Sequence, residues 1–159
     1  MSDAIKGFAP VFSKDSEILV LGSFPSVPSR LDGFYYGNKR NRFWSTLAKI
    51  FNKDTPKTKE EKIAFIFEHK LALWDIVECC DVKGSADVNL KNYQVVDLSV
   101  VLNETNLKAI ICNGKKSYEV YSKNYDLPVK VYSLPSTSPA NVSFNVKKWE
   151  DAFEEILNG

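Results

Sequence analysis

Short, mainly apolar runs alternate with segments of helical periodicity along this chain. The runs predict buried β-strands over residues 18–22, 71–74, 107–112 and 129–134. Between and after them, apolar spacing and capping residues predict α-helices over 41–51, after the Thr58–Glu61 capping box, over 117–125 and over 145–157. This alternation predicts an α/β fold, a three-layer α/β/α domain over 1–159 with a central four-stranded, mainly parallel sheet.

Three parts of the chain have weaker patterns. Residues 1–17 carry few apolar anchors, so we expect an irregular arm or a short helix there. Residues 76–96 are mixed in character, and we interpret them as loop with some helix. Asp97 is expected to cap a further short helix.

The carboxyl ends of the predicted strands are expected to meet at one edge of the sheet, because crossovers between parallel strands are right-handed. Four segments converge there: the loop after Gly22, the segment after Asp75, residues 113–116 and residues 135–141. Their side chains are mostly aromatic rings, amides, hydroxyls and lysines. Ligands of α/β sheets bind at this edge, so we expect the functional site there.

The loop between the first strand and the first helix is unusually long. It has 18 residues, 23–40, whereas ordinary connections have a median of about 4–6. It holds two adjacent tyrosines and a basic segment, and it ends at Asn41. We interpret this loop as the centre of the active site.

Composition limits the function classes only weakly. Of 159 residues, 44% are hydrophobic, and 21 Lys and Arg face 20 Asp and Glu. This near-neutral charge argues against a protein that coats nucleic acid, but a local basic patch remains able to bind phosphates. Three cysteines, two of them adjacent, indicate a reducing, intracellular compartment. No apolar run reaches the roughly 18 residues of a membrane helix.

The chemistry-bearing residues exclude several catalytic types. The lone His69 lies on the opposite edge, so a zinc site or a serine hydrolase triad is not expected, and we predict no metal and no cofactor. What remains is a pocket for a flat, neutral ring, with Tyr35 or Tyr36 stacking on it. Its surroundings offer cations for phosphate groups: Lys39, Arg40, Arg42, Lys115 and Lys116. An extruded nucleobase fits this description.

Five motifs carry a resemblance to a known family. They are G-S-F-P-S at 22–26, G-F-Y-Y-G-x-x-x-N-R-F-W at 33–44, L-W-D at 73–75, N-G-K-K at 113–116 and L-P-S-T-S-P-A-N at 134–141. The sequence resembles the uracil-DNA glycosylase superfamily, most closely its hypoxanthine-DNA (deoxyinosine) glycosylase branch, to which the mismatch-specific uracil-DNA glycosylases are related. The resemblance covers nearly the whole chain.

The resemblance implies a role for each motif. Asn41 matches the asparagine that orients the water attacking the sugar C1′. The base pocket would comprise Gly22, Ser23, Phe24, Pro25, Tyr35, Tyr36 and Asn113. The DNA-binding residues would be Lys39, Arg40, Lys115, Lys116, Ser136, Thr137, Ser138, Pro139, Ala140 and Asn141. Many superfamily members have Asp or Asn where this chain has Ser23, and that departure favours the hypoxanthine branch.

The expected function is therefore a monofunctional DNA glycosylase of base excision repair. It would act as a monomer on double- or single-stranded DNA, flip out hypoxanthine, uracil or xanthine, and hydrolyse the N-glycosidic bond. Two alternatives are a catalytically weak nucleic-acid-binding module of the same fold and a free-nucleoside hydrolase. Residue by residue, simpler roles also stay open: Asn41 as a helix cap, and Lys115 and Lys116 as a solvated helix start.

Overall fold

The computed structural model describes residues 4–6, 8–24, 33–81 and 91–158. The strands are β1 (Ala4–Lys6), β2 (Ile18–Gly22), β3 (Leu71–Asp75), β4 (Val77–Asp81), β5 (Lys91–Val95), β6 (Ala109–Asn113) and β7 (Lys130–Leu134). The helices are α1 (Phe43–Phe51), α2 (Lys59–Glu68), α3 (Ser99–Leu102), α4 (Lys115–Asn124) and α5 (Val146–Asn158).

A four-stranded sheet in the order β3-β2-β6-β7 forms the centre of the structure, and all of its strand pairs are parallel. Every residue of β2, β3 and β6 is buried. Strands covered on both faces can be apolar throughout, which is why the short runs Ile18–Gly22 and Leu71–Asp75 could be located from the sequence. The predicted parallel sheet is confirmed.

Helices cover both faces of this sheet. Right-handed crossovers place α1 and α2 on one face, and α3 and α4 on the other. On the first face, α5 packs on α1 through aromatic pairs, with Phe43 against Trp149 and Phe51 against Phe153. On the second face, the Ser117 hydroxyl of α4 donates a hydrogen bond to the Leu21 carbonyl of β2. The three-layer α/β/α arrangement is therefore confirmed.

A second, antiparallel sheet in the order β1-β4-β5 corrects two predictions. The segment 76–96 was expected to be loop with some helix, yet 77–81 and 91–95 are strands; 82–90 lie outside the described residues. Part of the expected N-terminal arm, residues 4–6, pairs with β4. These strands are short and their pairing is irregular, so period-two alternation is too brief to be recognised from the sequence.

Most predicted element ends are off by one or two residues. Helix α1 begins at Phe43 rather than at residue 41, and α4 begins at Lys115 after Gly114. The Thr58–Glu61 capping box is present as predicted. The Asp97 carboxylate accepts hydrogen bonds from the amide and hydroxyl of Ser99, at the start of α3. Among the described residues, no helix has the length and apolar character needed to cross a membrane.

Candidate active site at the carboxyl edge of the sheet

The carboxyl ends of the parallel strands bring the predicted segments together. The amide of Ile76, just after β3, donates to the Gly22 carbonyl at 2.8 Å. At the other side, the Gly114 amide donates to the Leu134 carbonyl at 2.9 Å. The Arg42 amide, at the end of the long loop, donates to the Thr137 carbonyl at 3.0 Å. These bonds connect all four predicted segments along one edge.

Gly22 is the point where two polar side chains crowd the end of β2. A Cβ atom at this position would lie 2.3 Å from Asp75 Oδ1 and 3.0 Å from the Tyr36 hydroxyl oxygen. Asp75 is buried, with 3% of its surface exposed, and it is the register partner of Gly22 across β2 and β3. Glycine is therefore required here by close approach of Asp75 and Tyr36.

The two adjacent tyrosines occupy different environments. Tyr35 is buried in the core, and its hydroxyl lies 3.2 Å and 2.8 Å from the carbonyl oxygens of Phe8 and Ala9, to which it donates. Burial raises the pKa of Tyr35 above its ordinary value, and the nearby Asp75 adds to the shift. Tyr36 is half-buried, has a positive φ of 53°, and stacks on Phe43 with ring centroids 4.0 Å apart. The ring of Tyr36 thus belongs to the edge, whereas Tyr35 supports it from the core.

Asn41 lies at the turn that leads into α1. Its Oδ1 accepts a hydrogen bond from the Phe43 amide at 2.9 Å, and its own amide donates to the Asn38 carbonyl. The side chain is half-buried. The ring of Phe43 also stacks on the ring of Tyr36, and Phe43 is itself fully buried. One core residue therefore anchors both Tyr36 and Asn41.

Asn113 holds the 134–141 loop through Thr137. Its Oδ1 accepts from the Thr137 amide, and its Nδ2 donates to the Thr137 hydroxyl, both at 3.0 Å. Both residues are buried, with 8% and 1% of their surfaces exposed. Both polar atoms of the Asn113 side chain, Oδ1 and Nδ2, are thus hydrogen-bonded to Thr137. The structure brings Asn113 to the edge as a support for the loop.

Local bonds also shape the rest of this loop. The Ser138 amide donates to the Ser136 hydroxyl, and the Ala140 amide donates to the Ser138 hydroxyl. The Asn141 side chain donates to the Ser136 carbonyl. Pro139 is half-buried and Ala140 is exposed. Hydroxyl groups therefore organise the turn, and its outer residues remain accessible.

The predicted cations fall into two groups. Lys39, Arg40 and Lys115 are exposed and Lys116 is half-buried, and in the described part of the chain none of them forms an ion pair. Arg42 differs, because its guanidinium donates to the carbonyl oxygens of the 138–141 turn. Four of the five cations are thus available to a ligand.

The remaining predicted pocket residues surround the start of the long loop. Ser23 and Phe24 are both buried, with 8% of their surfaces exposed. The Ser23 carbonyl accepts from the Val77 amide, which continues the pairing beyond β3. Pro25 lies outside the described residues.

Among the described residues, His69 and Cys112 are two further potentially reactive side chains, and both pack in the interior. His69 packs between Phe51 and Phe65. Burial raises the pKa of the Cys112 thiol to about 11, so the thiol is protonated at neutral pH. Over residues 4–6, 8–24, 33–81 and 91–158, no group of three His, Cys, Asp or Glu side chains has the spacing of a metal site.

Sequence reasoning did not assign Asp75 to the site, although it recognised the motif L-W-D. A carboxylate that directly follows a fully apolar strand was the available signal, because buried acidic residues are uncommon without a partner or a function. Arg42 was placed among the phosphate-binding cations, and no local sequence signal revealed that its guanidinium faces the 138–141 turn.

The geometry defines a three-layer α/β protein in which polar and aromatic side chains meet at the carboxyl edge of a parallel sheet, the edge where ligands of such sheets bind. The sequence model of the uracil DNA glycosylase superfamily matches residues 9–158. The chain therefore belongs to the uracil DNA glycosylase superfamily, and it is a DNA glycosylase.

Similar proteins support this assignment over nearly the full length. The chain is 32% identical over 156 residues to the hypoxanthine DNA glycosylase of Methanosarcina barkeri (strain Fusaro / DSM 804), covering 94% of this chain and 98% of that protein. It is 31% identical over 155 residues to the hypoxanthine DNA glycosylase of Methanosarcina acetivorans, covering 93% and 97%. A solution NMR structure from M. acetivorans, assigned provisionally to the uracil DNA glycosylases, superposes with a TM-score of 0.84 at 29% identity, covering 96% and 98%.

Replacing Gly22 by Ala should destabilise the protein by about 1–3 kcal/mol, because the added methyl group would collide with Asp75 Oδ1. Urea denaturation measures this loss. Gly33→Ala measures backbone strain without a collision, since Gly33 has a φ of 87°, which strains any residue with a side chain, but has no atom within 4 Å of its Cβ position. Equal stability of Gly22→Ala and the wild type would contradict the crowded arrangement.

Proposed function

We propose that this chain excises hypoxanthine from DNA by hydrolysing its N-glycosidic bond, without cleaving the strand. The observation that carries the proposal is the shared anchoring of Tyr36 and Asn41 on Phe43. This arrangement gives an aromatic face and an amide in fixed relation at one edge. The two hypoxanthine DNA glycosylases of Methanosarcina, similar over the whole chain, support the choice of base.

The reaction makes two electrostatic demands on the site. As the glycosidic bond breaks, positive charge develops on the deoxyribose and negative charge on the departing base. Phosphates that flank the sugar stabilise the first charge, and amide groups that donate to the base stabilise the second. Enzymes that act on a base within a duplex first take it out of the stack. The ring of Tyr36 would then stack on the extruded base, an interaction worth about 1–3 kcal/mol.

Asn41 would orient the attacking water. A carbonyl oxygen has two lone pairs, and Asn41 Oδ1 uses one for the Phe43 amide at 2.9 Å. The second remains able to accept a hydrogen bond from water, and the first fixes the direction of the side chain. A neutral amide is a weak base, but water needs little activation when it attacks a carbon that is already nearly cationic. The N-cap residue of α1 is Arg42 rather than Asn41, and the turn that the Asn41 side chain closes in front of the helix is compatible with a catalytic role.

The exposed cations would bind the phosphate backbone. Lys39 and Arg40 directly precede Asn41, and Lys115 and Lys116 begin helix α4 beside the 134–141 loop. We propose that these four side chains and the Ser136–Asn141 turn contact phosphates. The protein would act as a monomeric single domain on DNA in an intracellular compartment. Since no lysine lies in a motif for a covalent intermediate, hydrolysis would leave an intact abasic strand.

An abasic-site assay on labelled duplexes tests the proposed activity. Duplexes carrying hypoxanthine, uracil, xanthine or mismatched thymine are incubated with the protein. Each sample is then divided, and one half is treated with alkali before the strands are analysed. We expect strand cleavage only after alkali, and fastest for hypoxanthine. Binding without an abasic product would contradict excision, and cleavage without alkali would contradict the monofunctional reaction.

Two substitutions of Asn41 separate catalysis from its structural role in the turn before α1. Asn41→Ala should lower the single-turnover rate on hypoxanthine DNA by about a hundredfold or more, since positioning of a nucleophile is lost. Loss of the hydrogen bond with the Phe43 amide alone costs only about 1 kcal/mol of stability. Asn41→Asp keeps an oxygen acceptor for this amide and for water, and should retain more activity than Ala. A lower melting temperature with a normal excision rate would show that Asn41 acts only in the turn.

Removing the proposed phosphate contacts should weaken the salt dependence of binding. Each of the substitutions Lys39→Gln, Arg40→Gln, Lys115→Gln and Lys116→Gln should reduce the slope of log affinity against log salt by about one unit. Lys108→Gln is the control, because Lys108 pairs with Glu17 at the opposite edge of the sheet. A slope that none of the four substitutions changes would place the DNA elsewhere on the surface.

A further inference from the structure

Arg42 makes contacts unlike those of a phosphate ligand. Its Nη1 donates to the Ser138 carbonyl at 3.3 Å and its Nη2 donates to the Asn141 carbonyl at 2.9 Å. The guanidinium carbon lies 4.9 Å from the centre of the Phe144 ring. Two N–H groups of the planar guanidinium thus donate to main-chain oxygens of one turn, and the residue is half-buried.

Main-chain and side-chain bonds of Arg42 act on the same loop. The Arg42 amide donates to the Thr137 carbonyl at 3.0 Å. The carbonyls that its guanidinium binds, those of Ser138 and Asn141, follow in the same loop. From the opposite side, Asn113 holds the amide and the hydroxyl of Thr137. The loop is therefore fixed between strand β6 and the turn that precedes α1.

Asn41 is the chain neighbour of this arginine. The Asn41 side chain accepts from the Phe43 amide, so the residues on both sides of Arg42 belong to one rigid turn. Any shift of Arg42 relative to the 136–141 loop changes the distance between that loop and Asn41. In catalysis, a misplacement of about 1 Å costs on the order of a hundredfold in rate.

We propose that Arg42 is a positioning residue that sets the 136–141 loop relative to Asn41, and that it does not bind phosphate. The inference rests on the proposed function in assigning DNA contact to the loop and water to Asn41. Its geometric part, the fixing of the loop by a guanidinium fork, stands independently of the reaction. A lysine keeps the charge but offers no planar fork, so it cannot reproduce both carbonyl contacts.

Arg42→Lys and Arg42→Met test this role by three measurements. Both should lower the single-turnover rate on hypoxanthine DNA at saturating protein by about tenfold or more. Both should leave the salt slope of DNA binding unchanged, whereas Arg40→Met should reduce it by about one unit. Both should speed hydrogen exchange of the Ala140 and Asn141 amides by about tenfold, with exchange in α5 unchanged. Lys108→Met serves as the control for all three.

The outcomes separate the alternatives. A normal rate and normal exchange in Arg42→Lys, with a lower salt slope in Arg42→Met, would make Arg42 a phosphate ligand and overturn the proposal. Faster exchange with an unchanged rate would also overturn it, because the loop would then not need to be fixed for catalysis. If Arg42→Met fails to fold, Arg42→Lys decides by itself. If the wild type has no activity on hypoxanthine DNA, the proposed function fails, and exchange alone tests the fixing of the loop.

Discussion

The parallel register of the central strands is the constraint on which the site depends. Strand β2 lies between β3 and β6, and Ile18 is in register with Leu71 on one side and Ala109 on the other. Parallel strands of five residues that begin in register also have their carboxyl ends aligned. The residues after them must then share one narrow edge, which leaves space for Gly22 but not for a larger side chain.

Rigidity at this edge comes from main-chain groups and from the core rather than from ion pairs. Phe43 is fully buried and fixes Tyr36 by stacking and Asn41 by its amide. Asn113 and Arg42 fix the facing loop through Thr137 and the turn after it. Salt does not screen such bonds as it screens exposed charge pairs. A site held by such bonds keeps its geometry when the ionic strength changes.

The sequence predicted the sheet and its edge well because fully buried parallel strands are apolar without interruption. It failed for β4 and β5, whose few residues pair irregularly and carry mixed side chains. Motif resemblance selected Tyr35, Tyr36 and Asn41 as candidates, but only the structure distinguishes Tyr36 at the edge from Tyr35 in the core. The hydrogen bonds of the Arg42 guanidinium could not be predicted, since its partners lie about a hundred positions along the chain.

Binding of DNA at this carboxyl edge can be tested by backbone amide chemical shifts. The ¹⁵N-labelled protein is titrated with a duplex that contains a stable abasic-site analogue. We predict shift changes at Ser23, Asn41, Gly114 and Ser138, with little change at the opposite edge around Glu17, Lys70 and Lys108. Changes confined to the opposite edge, with none at Asn41 or Ser138, would contradict the account.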